Sequence, residues 1–278
     1  MLDLTVIILT YNEEKNIEEC INSVKGIAES IYVVDSFSSD KTVLLAEKCG
    51  AKVIQNTFIN QSKQFKHAMN VIPINTKWVL RLDADERFTA ETSEELGRLF
   101  DEHDNDDING IVLRFEVVFL GKKLKHGGVY PFSKMSVYRN GFADIEDKEM
   151  DEHFYLLSGK SVAMKNDCIH NDYKDLSSWI EKHNKYSTRE AESYLKHSKD
   201  DFSTLDPKAK ANQRKKYGFY YKLPAFFRAY AKYFYGVVFK FAWLDGRPGM
   251  IYAFLHSYWY RYLVDAKLLE AKESQTDE

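Results

Sequence analysis

LTVIILTYNE, residues 4–13, places six apolar or β-branched residues in a row and then turns polar at Thr10, Tyr11, Asn12 and Glu13. A strand with one wet face would alternate, so an unbroken run predicts a strand covered on both faces of a parallel sheet. The chain then cycles. Ile17, Cys20, Ile21 and Val24 keep helical spacing on a segment that starts after Asn12 and stops at Gly26. Ile31 to Val34 reads as a second strand ending at Asp35. Ser38-Ser39-Asp40 caps a short helix through Lys48, and Gly50 closes it before a third strand at Ala51 to Ile54. A further helix covers Lys63 to Val71, and Trp78 to Leu82 is a fourth strand that stops at Asp83-Ala84-Asp85-Glu86. Such alternation predicts a right-handed, mostly parallel α/β sheet, in which ligands collect at the carboxyl ends of the strands. Three polar clusters, residues 10–13, 35–40 and 83–86, fall at those ends.

Downstream, Gly110 to Leu120 and Met135 to Arg139 read as strands around a turn at Gly127-Gly128. Asp144 to His153 is a polar loop, and a long helix starts near Asp175. The 278 residues carry 39 Lys or Arg against 42 Asp or Glu, a net charge of -3 that gives no reason to expect nucleic acid as a partner. Cys20, Cys49 and Cys168, odd in number and without a C-x-x-C pair, argue against a disulfide scaffold or zinc ribbon and for packing roles in a reducing compartment. The start, Met-Leu-Asp, has no basic n-region or cleavage site, so no cleaved export signal is expected.

The last quarter differs in composition. Pro207 to Trp243 holds nine Lys or Arg and no Asp or Glu, so these 37 residues carry +9 while the remainder carries -12. Residues 217–262 hold 19 of the 40 aromatics. The longest stretch free of Asp, Glu, Lys and Arg, Pro248 to Tyr260, has 13 residues, short of the roughly 18 to 20 that a spanning helix needs. Interleaved cations and rings suit a segment lying in the headgroup region of an anionic bilayer. The expected organisation is therefore an α/β domain over 1–205 and a basic, aromatic, membrane-interfacial helical segment over 206–278.

Asp-x-Asp alone is a weak signal, and Asp104-Asn105-Asp106 is a second copy in a loop. Asp83-Ala84-Asp85 is set apart by its place at the end of a buried strand, where two carboxylates on a rigid edge can hold Mg2+ or Mn2+ against a diphosphate. Neither G-x-G-x-x-G after the first strand nor G-x-x-x-x-G-K-[ST] occurs, which counts against a dinucleotide oxidoreductase and a P-loop NTPase.

Leu9-Thr10-Tyr11-Asn12-Glu13, Val34-Asp35 with Ser38-Ser39-Asp40-Lys41-Thr42, and Leu82-Asp83-Ala84-Asp85-Glu86 together resemble the family 2 glycosyltransferases, which have the GT-A nucleotide-sugar-binding fold. The resemblance is specific over about residues 4 to 90. It implies that Thr10, Tyr11, Asn12, Glu13 and Asp35 line the nucleoside pocket, that Asp83 and Ala84 meet the nucleotide sugar, and that Asp85, with Asp83, ligates the metal. Gln64-Phe65-Lys66 stands where relatives often show Gln-Arg-Asn, leaving Lys66 as the cation for that contact. More loosely, Asp151-Glu152-His153, Gly159, His170, the helix Leu176 to Tyr186 and Leu244-Asp245-Gly246-Arg247-Pro248-Gly249 resemble the branch that includes lipopolysaccharide core glycosyltransferases. There Glu152, or its neighbour Asp151, is implied as the base, and His170 as a further metal or diphosphate contact.

The expected activity is an inverting, metal-dependent transfer of a sugar from a nucleoside diphosphate donor, a UDP-sugar, to a lipid-linked or lipopolysaccharide acceptor at the cytoplasmic face of the membrane. Two other classes stay open at this point: a sugar-phosphate nucleotidyltransferase, which would release pyrophosphate, and a membrane-bound scaffold that binds nucleotide sugar without turnover.

Overall fold

The structure is a computed structural model and describes residues 1–146, 153–197 and 220–276. Its contacts fall into two compact units, Met1–Lys123 with Val129–Lys174, and Leu124–Gly128 with Asp175–Glu278.

The first unit is built on β1 (Leu2–Thr10), α1 (Ile17–Lys25), β2 (Ala28–Asp35), α2 (Thr42–Lys48), β3 (Lys52–Gln55), α3 (Gln61–Val71) and β4 (Trp78–Asp83). After these come β5 (Glu86–Arg87), α4 (Ala90–Glu102), β6 (Ile108–Phe119), β7 (Lys122–Leu124), β8 (Phe132–Arg139), β9 (Ala143–Ile145), β10 (Phe154–Leu156) and β11 (Lys160–Asn171). Among the described residues one sheet runs β3-β2-β1-β4-β8-β6-β11-β5, with β7 paired to β6. The pairs among β1 to β4 are parallel, as is β6 with β11; β8 runs antiparallel between β4 and β6.

The period of two explains the unbroken run in β1. Leu4, Val6 and Ile8 enter one core with Ile17, Cys20, Ile21 and Val24 of α1 and Leu96 of α4, while Ile7 enters the other with Phe65 and Ala68 of α3. Both faces are covered, so no position could be polar without cost. The three cysteines are buried and unpaired, as packing residues should be.

The first helix starts at Ile17, the first residue of its apolar stripe, and not directly after Asn12. Asn12 has φ 54, a left-handed conformation that Asn tolerates, and its Oδ1 accepts the Ser39 amide at 2.8 Å. Residues 11–16 are thereby spent on a loop tied to residues 38–42, and helical geometry begins only after it.

Glycine has a steric role at the entry to β11. Gly159 has φ +80, and a Cβ there would lie 2.4 Å from both Asn109 Nδ2 and the Asp107 carbonyl. Gly159→Ala is expected to cost about 1–3 kcal/mol; an unchanged urea midpoint would contradict this account.

The second unit is helical: α5 (Leu176–His197), α6 (Phe227–Phe234), α7 (Gly246–Tyr252) and α8 (Tyr260–Thr276), with π-helical turns at Tyr235–Phe239 and Ala253–Trp259. Ala191, Tyr221, Tyr260, Val264 and Leu268 form its core. Glu190 is buried there and accepts from Tyr221 Oη at 3.1 Å, Tyr260 Oη at 2.7 Å and Arg261 Nη1 at 2.7 Å. The 244–249 motif is structural in this unit. Asp245 accepts the amides of Lys125 and His126 at 2.9 and 2.8 Å, and a Cβ on Gly249 would meet the Ala242 carbonyl at 2.6 Å. Among the described residues no helix is long and apolar enough to cross a membrane.

Candidate active site

Strand register assembles the site. Thr10 of β1 pairs with Asp35 of β2, and Leu9 pairs with Asp83 of β4, so three polar strand ends stand side by side. Apolar pairing further down the strands holds them there.

Asp35 is fully buried. Its oxygens accept from Thr10 Oγ1 at 3.2 Å, the Ser38 amide at 2.9 Å, Gln55 Nε2 at 3.2 Å and the Ser38 hydroxyl. That set of donors keeps a desolvated carboxylate satisfied and shapes the 35–40 turn. Tyr11 is 56% exposed at the lip of the same edge. The Glu13 amide donates to Thr42 Oγ1 at 2.7 Å, and its carboxylate is held by Lys174 Nζ at 2.5 Å and Asn16 Nδ2 at 2.7 Å. Burial pushes the Glu13 carboxyl up despite Lys174 beside it, and the charge of Asp85 adds to the shift. Lys66 sits half-buried on α3. Among the described residues no hydrogen bond or ion pair joins it to the strand-end carboxylates.

The acidic turn after β4 divides its carboxylates between two tasks. Asp83 is spoken for by cations: Arg81 Nη2 lies 3.1 Å from one oxygen and Lys134 Nζ 2.6 Å from the other. Partial burial opposes its charge, yet Lys134 and Arg81 hold its carboxyl well below the usual carboxylate range. Lys134, on β8, also reaches Glu86 at 2.7 Å, and Glu86 accepts the Asp83 amide at 3.1 Å. Burial pushes Glu86 up against the pull of Lys134, with Asp83 and Asp85 adding to the rise.

Asp85 faces elsewhere. Its side chain is 8% exposed, and Oδ2 lies 3.3 Å from His170 Nε2. Antiparallel pairing of β11 with β5 sets His170 opposite Glu86, and the Asn171 amide donates to the Asp85 carbonyl at 2.9 Å. Ala84, between the two aspartates, is buried and packs into the first core.

Among the described residues no three of His, Cys, Asp and Glu converge into a ready-made metal cage. The donor chemistry nonetheless fits a hard divalent cation. Mg2+ and Mn2+ take carboxylate oxygen, and of the two Mn2+ accepts imidazole more readily; such ions are commonly held by one or two protein groups with substrate phosphates completing the shell. Asp85 and His170, 3.3 Å apart, are the two groups that could supply such a pair. Asp151 and Glu152 lie outside the described residues; the antiparallel β9–β10 pair, Ile145 opposite Phe154, carries the two ends of their segment.

Residue types alone did not disclose Lys134 or Lys174 as neighbours of the site, nor that Glu86 of the acidic turn shares Lys134 with Asp83. Arg81 left a signal, a charge inside the otherwise apolar run Trp78 to Leu82, which must find a partner when buried. Lys134 left none. Its replacement by Met is expected to lower stability by about 2 kcal/mol, since it strips the cation from the buried Glu86 and the partly buried Asp83. Chemical denaturation checks this, and an unchanged midpoint would show that Arg81 alone suffices.

Comparison with known proteins bears on the family and the fold. Residues 5–164 match the profile of Glycosyl transferase family 2. An uncharacterized glycosyltransferase of Rickettsia bellii is 28% identical over 206 residues, covering 70% of this chain and 69% of its own. One from Rickettsia typhi is 29% identical over 217 residues, covering 72% and 70%. Among solved structures, a mannosyltransferase of Pyrobaculum calidifontis in complex with GDP-Man and Mn2+ superposes with a TM-score of 0.58 over 96% of this chain and 87% of that one. At 13% identity that likeness concerns the fold alone.

Proposed function

We infer the reaction from one premise: the chain belongs to glycosyl transferase family 2 and has the GT-A fold. The function proposed is an inverting transfer of a sugar from a nucleoside diphosphate donor, a UDP-sugar, to a lipid-linked or lipopolysaccharide acceptor at the cytoplasmic face of the membrane. The observation that carries it is the approach of His170 to Asp85 beside the aligned strand ends Thr10, Asp35 and Asp83.

Asp85 and His170 would hold Mg2+ or Mn2+. Such an ion, when bound, offsets the charge that develops on the departing diphosphate. The protein's own residues supply the rest. Thr10, Tyr11, Asn12, Glu13 and Asp35 form the wall and floor for the nucleoside. Lys134 and Arg81 keep Asp83 ionised and fixed beside that wall, where it can accept from a ribose or sugar hydroxyl. Inversion needs a carboxylate to take the acceptor hydroxyl's proton as that oxygen attacks the anomeric carbon, and Glu152 is assigned that role with Asp151 as its substitute. The mannosyltransferase with bound GDP-Man and Mn2+ supports a nucleoside diphosphate sugar as donor and a divalent metal, while the choice of uridine is the proposal's own. The similarity of the 151–153, 170 and 244–249 segments to lipopolysaccharide core enzymes supports the acceptor.

The test is titration calorimetry with UDP, GDP, CDP, dTDP and ATP, each with and without Mn2+. Binding of one nucleoside diphosphate that strengthens about tenfold or more with Mn2+ is expected. A response to the triphosphate alone would replace the transferase with a nucleotidyltransferase, and silence throughout would overturn the donor pocket itself.

A further inference from the structure

The helical unit exposes a continuous aromatic face. On α6, Phe227, Tyr230 and Phe234 stand at i, i+3 and i+7 and are 57%, 54% and 47% exposed, whereas Arg228 and Ala229 on the other side are buried. The face continues through the π-helical turn. Tyr230 and Phe234 ring centroids lie 6.3 Å apart, Phe234 and Phe239 6.2 Å, and Tyr235 and Phe239 5.7 Å, so the rings form one patch. Trp243 follows at 55% exposure. Soluble monomers rarely expose contiguous apolar patches of this kind.

The charge around the patch selects its occupant. Lys240 is exposed beside it, with its ammonium 5.8 Å from the Tyr235 ring, Lys222 and Arg247 are exposed in the same helical unit, and residues 207–243 contain no Asp or Glu. A second copy of the same face would bring like charges together. An anionic lipid surface instead offers phosphates to the cations and an acyl boundary to the rings, and Tyr and Trp favour that boundary because each has an apolar body and a polar handle. We propose that the face formed by α6, residues 235–239 and Trp243 docks on an anionic phospholipid surface, lying in its headgroup layer without crossing it. This deepens the lipid-acceptor part of the reading above. It is tested without turnover, so its failure leaves the transfer reaction standing.

The experiment is co-sedimentation of the full chain with vesicles of phosphatidylcholine alone or with one third phosphatidylglycerol. Binding to the anionic vesicles only is expected, falling roughly tenfold between about 50 and about 300 mM salt. Trp243 emission should shift to the blue on binding, a change that Trp243→Phe removes from the summed tryptophan signal. The triple variant Phe234→Ser, Phe239→Ser, Trp243→Ser should lose about tenfold or more of the bound fraction with its circular dichroism unchanged. Should that variant unfold, Lys222→Glu with Lys240→Glu, both at exposed positions, should release the protein from anionic vesicles at low salt. Protein that stays in the supernatant with both vesicle types overturns the proposal, as does a folded triple variant that binds like the parent. A dimer in sedimentation velocity that the triple variant abolishes, without vesicle binding, assigns the face to self-association and overturns it equally.

Discussion

Asp85→Asn is expected to lower sugar transfer by about 10³-fold while leaving the unfolding midpoint within a few degrees of the parent. The substitution preserves shape in a position with 8% exposure beside His170, so packing is conserved. What is lost is the anionic oxygen, and a neutral amide cannot offset a divalent charge. Mn2+ affinity, read by calorimetry in the presence of the nucleoside diphosphate, should fall in step with activity. His170→Ala removes a neutral donor and should cost less, about 10- to 100-fold. The two effects should combine sub-additively, because both act through one ion. Full transfer with unchanged Mn2+ affinity in Asp85→Asn would refute the assignment of the site.

Asp265→Ala is expected to destabilise the helical unit by about 3–5 kcal/mol. The Asp265 side chain is 2% exposed and its partner Arg228 is 5% exposed. Arg228 Nε donates to one carboxylate oxygen at 2.8 Å and Nη2 reaches the same oxygen, while the other accepts the Phe226 amide at 2.7 Å. Phe226 has φ 65, a conformation that a bulky residue adopts only when its surroundings hold it. Truncating Asp265 therefore leaves a buried guanidinium without its carboxylate and frees the turn that starts α6. Urea denaturation followed by far-ultraviolet circular dichroism measures the loss. The paired replacement Arg228→Met with Asp265→Leu should recover much of it, since removing both charges also removes their desolvation. Equal loss in the single and paired variants would place the stabilisation in the Phe226 turn and not in the ion pair.

Local chemistry carried a large part of the molecule. The run at Leu4 to Leu9 demanded cover on two faces, and α1, α4 and α3 provide it. The polar breaks at Thr10, Asp35 and Asp83 came out adjacent because the parallel register sets Thr10 opposite Asp35 and Leu9 opposite Asp83. The later start of α1 was not legible, since Ile17 to Val24 would repeat helically whether or not residues 13–16 joined them. What moved the boundary was Asn12 binding to Ser39, a contact between loops 27 residues apart.

By itself, then, the amino-acid order determined the layered α/β sheet, the strand-end positions of the candidate ligands, and a basic aromatic last quarter, all properties set by periodicity and neighbouring residues. Only tertiary structure decided how the carboxylates divide their work. His170 reaches Asp85 through the pairing of β11 with β5, and Lys134 claims Asp83 and Glu86 from β8, 51 residues beyond Asp83. A lone lysine or histidine in a strand has no local pattern to mark its partner. Its role is set by which strands pair and in what register, and that is an outcome of the whole chain's packing.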